Sequence, residues 1–119
     1  MTETQTSFPL DAVTVLAAAD VAGTPWQPLR GLAGVDHRVL ASSGQMNVGL
    51  VRLAPGAEEP GHVHHDADHH MYVLSGSASI AGQQVAEGGF VYVPAGVSHA
   101  ITDVSPDGCT FFYTYVPRH

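Results

Sequence analysis

Two stretches decide how this chain folds: Gly56–Gly76, GAEEPGHVHHDADHHMYVLSG, and Gly88–Asp103, GGFVYVPAGVSHAITD. In the first, His62 and His64 are two residues apart. On a strand, residues i and i+2 point to one face, so both imidazoles can reach one point. A short acidic loop, His65-Asp66-Ala67-Asp68, follows, and a second strand-like run opens at His69-His70. There His69, Met71 and Val73 share one face, and His70, Tyr72 and Leu74 share the other. In the second stretch the rigid turn Pro94-Ala95-Gly96 sets His99 at the head of another strand. Gly56 and Gly76 stand at strand ends, where turns need positive φ.

The same texture extends outward. From residue 35, runs rich in Val, Ile, Thr, Tyr and Phe recur at 35–42, 45–54, 62–65, 70–81, 83–86, 90–93, 99–104 and 109–116. Such residues favour a pleated, half-buried surface, and Gly, Pro, Ser and Asp clusters separate the runs. Many short strands at this spacing predict an all-β sandwich or barrel. The periodicity of DAVTVLAAAD (11–20) fits a short helix or a strand equally. The surroundings of Trp26 read as a loop, with the indole as packing. Residues 1–12 read as a tail or edge segment. With no repeat and no internal linker, residues 1–119 read as a single domain whose barrel spans about 35–116.

Of 119 residues, 45% are hydrophobic and 13% charged, a globular composition. Eleven acids face four basic residues, all arginine, for a net charge of −7. That opposes a nucleic-acid or anionic-membrane partner. No apolar stretch approaches the ~20 residues of a membrane span. A single cysteine, Cys109, excludes an internal disulfide framework and a CxxC metal site, and no neighbouring base activates it. The opening MTETQTSFPLDAVT lacks the pattern of a signal peptide, which with one thiol points to the cytoplasm.

The two quoted stretches resemble the two motifs of the cupin family, G-x5-H-x-H-x3-4-E-x6-G and G-x5-P-x-G-x2-H-x3-N. Every Gly, His and Pro spacing is kept. His69 stands in the glutamate position, and Asp103 replaces the final Asn. The resemblance implies a small jelly-roll barrel (a double-stranded β-helix) with a metal inside, and a homodimer. Its common ligand set is three His and one Glu. A fourth histidine resembles the subgroup of small manganese-binding cupins and polyketide cyclases. On that basis His62, His64, His69 and His99 are the expected ligands of one divalent transition metal ion: Fe, Mn, Ni, Cu or Zn. Four neutral imidazoles leave the ion its full charge. By parity His65 and His70 point away, and His70 is the substitute if His69 does not bind. His37 and His119 read as solvated, Asp66 and Asp68 as solvated turn residues, and Asp103 as structural.

For the substrate pocket, Met71 follows His69 and Ile101 follows His99 on the same face. Asn47, Gly49 and Val51 are placed inside, with Gly49 leaving room for a ligand and Arg52 opposite. The last strand offers two faces, Phe111, Tyr113 and Tyr115 or Phe112, Thr114 and Val116. Alignment on Val116-Pro117 with similar small cupins puts Phe112 and Thr114 inside. Tyr113 and Tyr115 then fall on an outer, dimerising face. The expected function is a metal-dependent enzyme for a small organic molecule, with dioxygenase-like oxidation favoured. Non-redox cyclase, isomerase or lyase chemistry on a carbonyl compound comes second, because no Glu or Lys base is evident near the motifs. A non-catalytic binding module comes third.

Overall fold

A computed structural model describes residues 11–43 and 46–118. Among the described residues one short helix, α1 (Ala18–Gly23), precedes nine strands. These are β1 (Gln27–Pro28), β2 (Val35–Ser43), β3 (Met46–Leu53), β4 (Glu59–His62), β5 (Ala67–Ile80), β6 (Gln83–Ala86), β7 (Phe90–Val93), β8 (His99–Thr102) and β9 (Cys109–Pro117). All pairs are antiparallel. The order across the curled sheet is β1-β2-β3-β9-β5-β8-β4, with β6 and β7 also on β5.

The 14-residue β5 joins the two halves. Its first half pairs with β9 and β7, and its end pairs with β6 and β8. The bend between them follows from two local features. The register with β9 shifts between Val73 and Ser75. Gly76 then takes φ +75°, and a Cβ there would lie 1.8 Å from the Gly108 carbonyl oxygen. Only glycine passes so close to another backbone at this φ.

Alternation along the strands builds the core. Val51 and Leu53 of β3, Met71 and Val73 of β5, Ile101 of β8, and Phe111 and Tyr113 of β9 are all buried. Side chains of this size contribute roughly 1.5–3 kcal/mol each on burial. Opposite them lies an outer face where Tyr72, Leu74, Phe90 and Tyr92 are exposed.

Several expectations shift by a few residues. The strand expected at 62–65 spans Glu59–His62, and His64 lies beyond its end. The strand expected from residue 70 begins at Ala67, which draws Asp68 and His69 into β5. Within DAVTVLAAAD only Ala18–Asp20 are helical. β8 stops at Thr102, because Asp103 turns to φ +52°. The tail up to residue 10, Gly44, Gln45 and His119 lie outside the described residues. Trp26 packs under two guanidiniums, with Arg38 and Arg52 lying 4.1 and 4.2 Å from its ring centre. Among the described residues, no helix is long and apolar enough to cross a membrane.

Candidate metal centre

Strand register assembles the histidines. β4 and β8 pair with His62 directly opposite His99, so their rings stand 4.1 Å apart. His64, two residues past His62, turns its ring back to 4.8 Å from His62 and 5.6 Å from His99. His69, from β5, lies 5.4 Å from His64 and 5.3 Å from His99. The ligand atoms of His62, His64 and His99 all fall within 4.8 Å of one another, a group that could hold a metal ion. His69 adjoins this triad.

The ring nitrogens test whether the cluster suits a cation. His62 Nδ1 lies 3.0 Å from the Pro60 carbonyl oxygen, and His99 Nδ1 lies 3.5 Å from that of Val97. A carbonyl only accepts, so each Nδ1 carries the hydrogen and each Nε2 keeps its lone pair. The Nε2 atoms of His62, His64, His69 and His99 are buried with no hydrogen-bond partner. Buried polar atoms are normally paired, and the unpaired ones of the close triad His62, His64 and His99 suit a shared cation, while both ring nitrogens of His69 stand unpaired beside it. Burial, then the neighbouring rings, push His64 down to about 4 and His69 down to about 2. Burial and His62 also lower His99. Neutral imidazole is the form that binds metal. The donor set therefore fits a transition-metal ion.

Other groups frame the rings. Tyr115 packs 4.3 Å from His69 and 4.5 Å from His64, and burial raises its phenol pKa well above the usual range. Tyr113 is pushed up to about 12 by burial. Met71 and Ile101, expected in the substrate pocket, are inward, 1% exposed and part of the hydrophobic core. Asn47 pairs with Tyr115 across the strands, and its Oδ1 is buried without a partner. A cavity of about 520 Å³ between β6, β7 and β8 meets the cluster at His99 alone.

The last strand is the reverse of the expected arrangement. Phe111, Tyr113 and Tyr115 face the histidines' side, and Phe112 and Thr114 lie on the opposite face. Thr114 Oγ1 is 2.8 Å from His70 Nδ1, which ties both to the outside. His70 stacks there on Tyr92 and Phe90, and neither His70 nor His65 joins the cluster. Gly49 does face inward, but a Cβ there would lie 2.3 Å from the Arg38 carbonyl and 3.0 Å from Tyr113. The glycine thus admits a strand and a phenol, not a ligand. Asp68 is no solvated turn residue: it accepts the Ala95 N–H at 2.9 Å and pairs with Arg118 at 2.6 Å. It thereby fixes the turn that delivers His99. Asp103 accepts a hydrogen bond from Ser79 Oγ, in keeping with a structural role.

Sequence reasoning missed Glu59 and Arg30. Glu59 is 4% exposed, and its Oε2 lies 3.5 Å from His62 Nε2. Arg30 holds the same oxygen at 2.5 Å. Parity would put residues 59 and 62 on opposite faces, but the β4–β8 register shifts between them, and the bulge turns both inward. No local pattern marks Arg30, which comes from the loop before β2.

Against known proteins, the sequence profile of the ChrR cupin-like domain matches residues 14–118. The chain belongs to this cupin family. Solved cupin-like structures share its fold. The polyketide cyclase RemF from Streptomyces resistomycificus is 20% identical with a TM-score of 0.74, over 86% of this chain and 80% of that one. KdgF from Halomonas sp. is 21% identical with a TM-score of 0.67, over 80% and 89%. The Rhodobacter sphaeroides complex of SigE with the anti-sigma ChrR gives 19% and 0.68, over 79% of this cupin and 49% of that chain. No curated protein matches the chain significantly.

Proposed function

We propose that this cupin is a metal-dependent enzyme that moves protons on a small carbonyl compound, in cyclisation, isomerisation or lyase chemistry. The observation that carries the reading is the set of unpaired Nε2 atoms beside a buried carboxylate and a protonated phenol. His62, His64 and His99, with His69 beside them, are the residues that would hold the ion. A divalent ion bound there supplies Lewis acidity toward a carbonyl oxygen.

The remaining work falls to the chain's own groups. Glu59 accepts a proton from the carbon next to the carbonyl, at the edge of the cluster, where Arg30 holds its carboxylate. Tyr115 keeps its proton at neutral pH and donates a hydrogen bond to developing negative charge on oxygen. Met71 and Ile101 exclude water from below. The likeness to a polyketide cyclase supports this class of reaction. Glu59 answers the objection that no base lies near the motifs, and it moves the balance away from the oxygen-dependent reading that the sequence favours. That second reading retains one support, the all-imidazole donor set, which leaves the ion its full charge.

The deciding experiment follows hydrogen–deuterium exchange at C3 of 2-oxobutyrate by NMR, without oxygen, using protein loaded with Zn(II), Mn(II) or Fe(II). Exchange well above the metal-free control, lost in Glu59→Gln at equal metal content, is expected. Exchange at the buffer rate, with oxygen uptake in air, would replace this reading with a dioxygenase. The dimer is part of the proposal, with a second copy covering Tyr72, Leu74, Phe90 and Tyr92. Light scattering at twice the chain mass is the expected result.

A further inference from the structure

We propose that Arg30 is a carboxylate-binding residue, so that the carbonyl compound handled at this site carries a carboxylate, as a 2-oxo acid does. The inference rests on the reading above and names its substrate class.

The four arginines have separate duties. Arg38 and Arg52 lie over Trp26, with Arg38 donating to the Val21 carbonyl and Arg52 paired with Asp36. Arg118 is taken by Asp68 and Tyr92. Arg30 alone reaches the histidines, joined to His62 through a single oxygen of Glu59. Its charge also acts on His64 and His99.

Its setting is that of a fixed fork with a free edge. Arg30 holds φ +51°, a conformation that non-glycine residues seldom adopt. The turn is pinned on both sides: Leu29 N–H donates to the Val35 carbonyl, Leu32 N–H donates to that of Leu29, and both leucines pack against the core. Glu59, whose side chain is 5% exposed, binds Nη2 from the inner side. The Arg30 side chain is 42% exposed. A guanidinium has five N–H donors in a plane suited to carboxylates, and Glu59 takes one of them. The exposed edge can receive a second carboxylate without displacing the first.

The test is calorimetric binding to zinc-loaded protein of two matched probes, 2-oxobutyrate and 2-oxobutanamide, in which a neutral carboxamide replaces the carboxylate. Metal content of each protein is measured first. Wild type is expected to bind 2-oxobutyrate at least tenfold more tightly. Arg30→Gln should lose about tenfold to a hundredfold for 2-oxobutyrate and leave 2-oxobutanamide unchanged. Arg30→Lys should keep part of the preference. Because Arg30→Gln strands a buried carboxylate, the double variant Arg30→Gln/Glu59→Gln removes both charges and should show the same loss. Equal binding of the two probes by wild type, or a preference that survives in both Arg30→Gln backgrounds, overturns the assignment while leaving the metal-centre reading intact. Failure of zinc to load, or of either probe to bind loaded protein, overturns both.

Discussion

The histidine cluster should make the metal-free protein sensitive to mild acid, and His69 gives the sharpest test. In the unfolded chain an imidazole takes up its proton near pH 6.5. In the folded chain burial and neighbouring rings hold His64 at about 4 and His69 at about 2. Between pH 7 and 5 the unfolded chain therefore binds protons that the folded chain refuses, and stability falls with pH. The contribution is fully present above the unfolded pKa and is lost as pH drops toward the folded one. For one such ring, linkage gives about 2 kcal/mol between pH 7 and pH 5. His69 is 4% exposed and carries that share in full. The His64 ring is only partly buried, and solvent screening cuts its share to about half. The two together come to about 3 kcal/mol, or roughly 10–15 °C in Tm for a domain of this size. Thermal melts followed by circular dichroism, on EDTA-treated protein at pH 7, 6 and 5, read this directly. His69→Leu replaces the titrating ring with an apolar group and should remove more than half of the slope. A metal-free wild type whose Tm moves by less than about 3 °C, or a His69→Leu protein with the full slope, would refute the reasoning.

Three further outcomes can be checked independently. His62→Ala and His99→Ala should each lose bound metal, measured by elemental mass spectrometry on untagged protein, because each removes one of three mutually close ring-nitrogen donors. Thr114→Val should leave metal content unchanged, because its hydroxyl faces His70 on the outer side; loss of metal would return β9 to its expected orientation. Gly76→Ala should cost more than about 3 kcal/mol in chemical denaturation, or prevent folding, since a Cβ would meet the Gly108 oxygen at 1.8 Å in a left-handed conformation.

The parts of this protein that were legible in its sequence are those where local chemistry and fold agree. The glycine, proline and histidine spacings of residues 56–103 brought His62, His64 and His99 into one group with the His69 ring beside it, and simple alternation put Met71 and Ile101 inside the barrel. What failed was parity across irregular backbone. The bulge between Glu59 and His62 rotates one residue relative to the next, and so hides a carboxylate that strict alternation would send outward. On β9 the alternation was clear but its phase was not: both faces are rich in aromatic and β-branched residues, so composition could not choose between Tyr113 and Phe112. Arg30 was invisible for another reason. Its role depends on a contact with Glu59 across 29 positions of sequence, through a turn in an unfavourable conformation, and neither leaves a local trace.

The place of β9 has a consequence for how the barrel comes apart. It lies between β3 and β5, and Tyr115 on it lies against His64 and His69. Opening of residues 109–117 leaves β3 with β2 alone and leaves His69 aligned only by its pairing with Val93 of β7. Proteins open locally in cooperative units, so the free energy of releasing β9 sets how often the histidine cluster meets solvent.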